Sequence, residues 1–247
     1  MDTANSHEHG AGHDDDHGES HGHGDHPKFL AHHFDTPLQQ FDTAKLGMWL
    51  FLAQELLFFA GLFVAYGIYR NWYPDAFSWS SHQLDPIMGA INTVVLLFSS
   101  LTAALAVRSS QLGQKSKTSM WLVLTIICAF IFLVVKYFEY EHKFESGLLP
   151  GGHFHPHHLH VVRAMHGAAA AGIPDHSGTF FGIYFMMTGV HGLHVLIGIG
   201  VMIWILIRNN RGEFSAQYFT PVELVALYWH LVDLIWIYLF PLLYLID

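Results

Sequence analysis

Five apolar stretches limit what this chain can fold into. Residues 46–69, 87–107, 119–139, 179–207 and 224–246 are each long enough, at about 1.5 Å per helical residue, to cross a hydrocarbon core of about 30 Å. They are apolar all round instead of striped, whereas the helices of a soluble bundle need a polar face for water. Composition agrees: 52% of the 247 residues are hydrophobic and only 13% charged, against roughly 25% in soluble domains. The expected architecture is an all-α integral membrane protein. A bundle of five transmembrane helices spans residues 36–247, with a long external connection at 140–178 and a polar tail at 1–35.

The sign and placement of charge narrow the reading. Eleven Lys and Arg against twenty Asp and Glu give a formal charge of −9, so no basic patch is present to neutralise nucleic-acid phosphates. A single cysteine, Cys128, excludes an intrachain disulfide and any site that needs two thiolates. The first 27 residues hold no apolar run and no cleavage-like site, so insertion is expected to use the helices themselves. Lys28, Lys45, Arg108, Lys115, Lys117, Arg208 and Arg211 fall on one side of the spans, and Arg70, Lys143 and Arg163 on the other. The positive-inside bias therefore predicts a cytoplasmic N-terminus and an external C-terminus, with Trp72, Tyr73, Trp79 and Tyr244 as external interfacial anchors.

Histidine is concentrated in two polar segments. The tail carries His7, His9, His13 and four more among Gly and Asp, with almost nothing to bury, and is expected to be disordered. It reads as a solvated tail or as a weak buffer for Zn, Ni or Cu, the former being commoner. His153, His155, His157, His158 and His160 sit in the long connection, where a polar cap, a partner contact and a metal site are all consistent with the composition.

Inside the spans, polar groups are few and costly. Glu55 and Asp233 each lie about 13 Å from the expected cytoplasmic ends of their helices, near the bilayer middle. A carboxylate at that depth must face the bundle, be protonated or have a partner. His191 and His194, three apart, share one helix face, as do His230 and Asp233 on another. If they converge they could bind a metal, or hydrogen-bond and fasten the fourth helix to the fifth; such polar ties are the commoner case. Gly189, Gly192, Gly198 and Gly200 allow close helix approach.

Several longer motifs carry a family resemblance. Gly47-Met-Trp-Leu-Phe-Leu-Ala-Gln-Glu55, Asn92-Thr93, Phe138-Glu139-Tyr140, Thr188-Gly-Val-His191-Gly-Leu-His194, and Glu223 with Tyr228-Trp229-His230-Leu-Val-Asp233 resemble the membrane motifs of cytochrome c oxidase subunit III, in the same order, from about residue 45 to 247. The resemblance implies a respiratory haem–copper oxidase subunit in a bacterial cell membrane. Such a subunit packs against catalytic subunit I, beside subunit II, binds phospholipid, and carries no haem, copper or catalytic residue of its own. It therefore weakens the metal reading of the intramembrane histidines. Glu55, Glu139, His191, His194, Glu223, Trp229, His230 and Asp233 match family positions and are read as structural or lipid-facing. Family members typically have seven helices divided by a lipid-filled cleft; the first pair is absent here, so another subunit or bulk lipid would form the far wall.

The reaction served would be cytochrome c oxidation, oxygen reduction to water and proton translocation. Subunit III of a quinol oxidase and the accessory subunit of a nitric oxide reductase are the related alternatives. A membrane di-iron lipid desaturase is a remote one, prompted by His153, His157 and His158. Only one such box is present, and charge bias places it outside.

Overall fold

Helix boundaries follow from proline and glycine at the places where helical hydrogen bonding must start or stop. In the computed structural model, which describes residues 36–148 and 174–246, the helices are α1 (Pro37–Trp72), α2 (Pro74–Ser81), α3 (Pro86–Gln111), α4 (Lys115–Glu145), α5 (Ser177–Asn210) and α6 (Thr220–Tyr244). Proline opens α1, α2 and α3 and is second in α6, positions where its missing N–H costs nothing. Asp85 caps α3, its Oδ1 accepting from the backbone N–H of Ile87 at 2.9 Å and of Met88 at 3.3 Å. Gly113, Gly147 and Gly212, at φ +68°, +70° and +80°, follow α3, α4 and α5 and close each with paired backbone bonds, such as Gln114 N–H to Ser109 O and Gly113 N–H to Ser110 O, both 2.9 Å.

Five of these helices are long and apolar enough to cross a membrane. Their lengths of 25 to 36 residues exceed the roughly 20 that a bilayer core requires. The expected spans are thus extended at most ends. In particular α4 continues to Glu145, so residues 140–145 are helical and not part of the connection expected from residue 140. The short α2 occupies what reads in sequence as a loop; eight residues are too few to show a period.

Within residues 41–247, α3, α4, α5 and α6 form a closed ring in which α3 packs on α4 and α6, and α5 on the same two; α2 lies against α5. Phe132, Tyr184, Met187, Trp229, Trp236 and Leu239 fill the centre, each at most 1% exposed. Two glycines make this spacing close: a Cβ on Gly198 would stand 2.8 Å from the Trp229 ring, and one on Gly89 2.7 Å from Phe240. The outer faces are apolar, with Leu57, Val94, Leu101, Phe130 and Leu196 exposed to the surroundings. Helix α1 is peripheral. Only 6% of its apolar window is buried inside the protein, against 33–44% for the other four, so few apolar contacts hold it to the ring and individual side-chain ties matter more.

Candidate functional site

The most heavily bonded polar cluster joins α4, α5 and α6. Lys136 and Glu139, three apart on α4, form an ion pair of 2.9 Å, their side chains 8% and 2% exposed. Tyr184 from α5 and Tyr244 from α6 donate their hydroxyls to Glu139 Oε1 at 2.8 and 2.5 Å. The Lys136 ammonium also donates to those hydroxyls, at 2.8 Å for Tyr244 and 3.3 Å for Tyr184. An ammonium has three N–H donors, and here each has an acceptor, while both carboxylate oxygens are taken. Trp236 lies under the ammonium at 4.8 Å from its ring centre. A network of this kind, with every N–H and O–H donor engaged, fastens three helices.

Sequence reasoning missed Lys136. Charge bias accounts for ten of the eleven Lys and Arg residues; the eleventh is this lysine, inside an apolar stretch three residues before Glu139. That spacing was the available signal. Tyr244, expected as an interfacial anchor, is instead 5% exposed, because its hydroxyl turns inward to Glu139.

A second seam joins α3 to α6. Trp229 Nε1–H donates to Ser99 Oγ at 3.0 Å, and Ser99 stands 3.4 Å from Asp233 Oδ2. Ser100 bonds His230 Nδ1 at 2.7 Å, and Trp236 Nε1–H donates to Thr93 at 3.1 Å. On the neighbouring interface the hydroxyls of Thr102 (α3) and Thr125 (α4) meet at 2.7 Å.

The third tie involves the peripheral helix. Glu55 on α1 meets His194 Nε2 on α5 at 3.0 Å, and the other ring nitrogen, Nδ1, is 2.8 Å from the Val190 carbonyl. A carbonyl only accepts, so Nδ1 carries a hydrogen, and the bond between Nε2 and Glu55 then holds one shared proton. The pair is neutral overall whichever partner carries that proton. Phe58 and Phe59 flank the imidazole. Nearer the N-terminal ends of α1 and α6, Lys45 pairs with Glu223 at 2.9 Å.

The fold therefore gives the two predicted histidine motifs separate partners. His194 faces α1, and His191 is fully buried between the rings of Phe132 and Trp236, with no hydrogen-bond partner among the described residues. His230 and Asp233 turn to α3. Residues three apart on a helix differ by about 60° in direction, enough to address different neighbours. Near these histidines α5 and α6 are linked instead by the Tyr228 hydroxyl, which donates to the His194 carbonyl at 3.0 Å. Among the described residues no group of three or more His, Cys, Asp or Glu side chains is placed to hold a metal ion. His7, His9 and His13, and His153, His155, His157 and His158, lie outside the described residues.

Sequence comparisons give the bundle its relatives. The family described as "Cytochrome c oxidase subunit III" matches residues 28–162 and 161–247. The chain is 31% identical over 208 residues to "Cytochrome c oxidase subunit 3" of Corynebacterium diphtheriae, covering 83% of this chain and 89% of that protein. The protein of the same name from Synechocystis is 29% identical over 230 residues, covering 93% and 81%. Another, from Thermostichus vulcanus, is 30% identical over 214 residues, covering 83% and 89%.

Proposed function

The chain belongs to the cytochrome c oxidase subunit III family, and we propose that within an oxidase complex it is a non-redox accessory subunit that braces oxygen-reducing subunit I, beside subunit II, and holds phospholipid. The complex would oxidise cytochrome c, reduce oxygen to water and translocate protons in a bacterial cell membrane, with haem and copper on the partner subunits. The relatives' names favour cytochrome c over quinol as electron donor.

One observation carries the accessory role: most of the ionisable groups inside the spans are spent on one another, while His191 and Asn92 stay buried without a hydrogen-bond partner among the described residues. Lys136, Glu139, Tyr184 and Tyr244 close on themselves, Glu55 closes on His194, and His230 on Ser100. Such a bundle keeps its polar groups inward and presents an apolar outside, suited to a neighbour's transmembrane face and to lipid. The N-terminus is assigned to the cytoplasm on charge bias. The test is separation of the complex into its chains followed by visible spectroscopy. Haem absorbance in the assembled complex and none with this chain supports the reading; a haem band that stays with this chain defeats it.

A further inference from the structure

Four oxidisable rings surround the buried ion pair of α4. The Lys136 ammonium lies 4.8 Å from the ring centre of Trp236, 5.3 Å from that of Tyr184, 5.5 Å from Tyr244 and 5.6 Å from Tyr140. The rings also approach one another, Tyr140 to Tyr184 at 6.2 Å, and Tyr184 to Tyr244 and Tyr244 to Trp236 at 6.4 Å each, centre to centre. Phenol and indole are the side-chain rings that part with an electron most readily, and here they form one contact chain.

Two of these phenols differ from the other tyrosines in the group that receives their O–H. A phenol that loses an electron becomes a strong acid, so its oxidation needs a base within hydrogen-bond reach to take the proton in the same step. Tyr184 and Tyr244 both donate to a carboxylate oxygen, Glu139 Oε1, at 2.8 and 2.5 Å. Tyr66, Tyr140 and Tyr228 meet neutral groups instead, the Leu242 carbonyl, the Thr188 hydroxyl and the His194 carbonyl. Neutral acceptors are therefore enough to fasten helices in this bundle. A buried carboxylate with its lysine carries a desolvation cost that fastening does not require.

The carboxylate also has a way out. Glu139 lines a polar cavity of about 430 Å³ together with Asp85, His142 and Lys143, and His142 is exposed. Glu139 stands about 14 Å from the middle of α4, at the edge of a hydrocarbon half-thickness of about 15 Å. Tyr244 is thus one side chain behind a wall that faces the aqueous interface.

We propose that Tyr244 and Tyr184 form a side-chain redox site that quenches oxygen-centred radicals of the peroxyl class at this membrane surface, with Glu139 as proton acceptor. One electron passes from Tyr244 to the radical ROO•, which becomes ROO⁻ and takes a proton from water, leaving ROOH and hydroxide. The Tyr244 O–H bond breaks, and its proton forms a new O–H bond on Glu139 Oε1. The product is a neutral phenoxyl radical whose oxygen still accepts from Lys136, the donor at 2.8 Å. Exchange with Tyr184 runs through the same carboxyl: an electron moves from Tyr184 to Tyr244 while Glu139 takes the Tyr184 proton and returns one to Tyr244. The Lys136 charge raises the cost of removing an electron, so the site answers to strong one-electron oxidants and stays outside ordinary electron transfer. It requires no haem or copper on this chain and stands beside the accessory role.

The test is high-field electron paramagnetic resonance of the purified complex, frozen after flash photolysis of a water-soluble azo initiator in aerated buffer, which releases peroxyl radicals. Wild type is expected to give a phenoxyl signal with the lowered g1 of a hydrogen-bonded oxygen, formed more slowly in D2O than in water. Tyr184→Phe with Tyr244→Phe keeps both rings and their packing and should remove that signal, which separates it from radicals on other chains. Lys136→Met with Glu139→Gln removes both charges, so no buried ion is stranded, and keeps both phenols without their base. In that variant the signal should form roughly a hundredfold more slowly, the low end of what a positioned general base contributes, with assembly on size-exclusion chromatography unchanged. The same signal in wild type and the double Phe variant would place the radical elsewhere and overturn the proposal. An unchanged rate in the variant lacking Glu139, or equal rates in water and D2O, would overturn it as well.

Discussion

Glu55 and His194 bond at 3.0 Å between α1 and α5, and the His194 Nδ1 contact with the Val190 carbonyl fixes which ring nitrogen faces the acid. Because α1 has little other burial, this pair is a principal fastening of that helix. Glutamine at position 55 can donate its amide N–H to the Nε2 lone pair of a neutral His194, so Glu55→Gln is expected to assemble normally and keep most turnover. Glu55→Leu leaves Nε2 without a partner and should cost about 1–3 kcal/mol. Thermal melting of the detergent-solubilised complex separates the two. Loss of proton pumping in an assembled Gln variant would instead make Glu55 a proton carrier.

The Lys136–Glu139 pair predicts strong non-additivity. Removing one partner strands a buried charge, so Lys136→Met should destabilise by about 3–5 kcal/mol. The double variant Lys136→Met with Glu139→Gln removes both charges and should be more stable than the single one. Denaturation of the four-variant cycle checks this, and additive losses would mean the two side chains act independently.

Glycines divide by what stands over them. At Gly198 a Cβ meets the Trp229 ring at 2.8 Å, and that ring is pinned through Nε1 to Ser99. Gly198→Ala is expected to cost about 1–3 kcal/mol through overpacking. Gly192 has nothing within 4 Å of a built Cβ, so Gly192→Ala should be neutral or stabilising by up to about 1 kcal/mol from helix propensity. Melting temperatures of the two variants in one preparation make the comparison.

Orientation is testable with fusions. A reporter active only outside the cytoplasm should work after Asp247 and fail within the α3–α4 connection beside Lys115. The reverse pattern would show that the bundle is inverted.

These results mark what sequence can and cannot display. Five membrane spans are legible because apolar length is a local property, and Glu55 and Asp233 stand out because a carboxylate among apolar residues is conspicuous. The partners of those residues are not legible. Tyr184 and Tyr244 are 60 residues apart, and nothing local says that both aim at Glu139. Lys136 is hidden by averaging over the apolar residues around it. His191 and His194 look equivalent in spacing, yet a modest angular step sends one into an aromatic pocket and the other to α1. Hydropathy places helix ends too early, because charged terminal turns such as residues 140–145, helical in the structure, look like loop.

In the proposed role this chain braces an oxidase without holding its redox centres. The most direct measurement is the visible spectrum of the chain after it has co-purified with its complex and been separated from the other subunits. Haem bands are expected in the intact complex and none in the separated chain. A haem band remaining with the chain at one equivalent would contradict it.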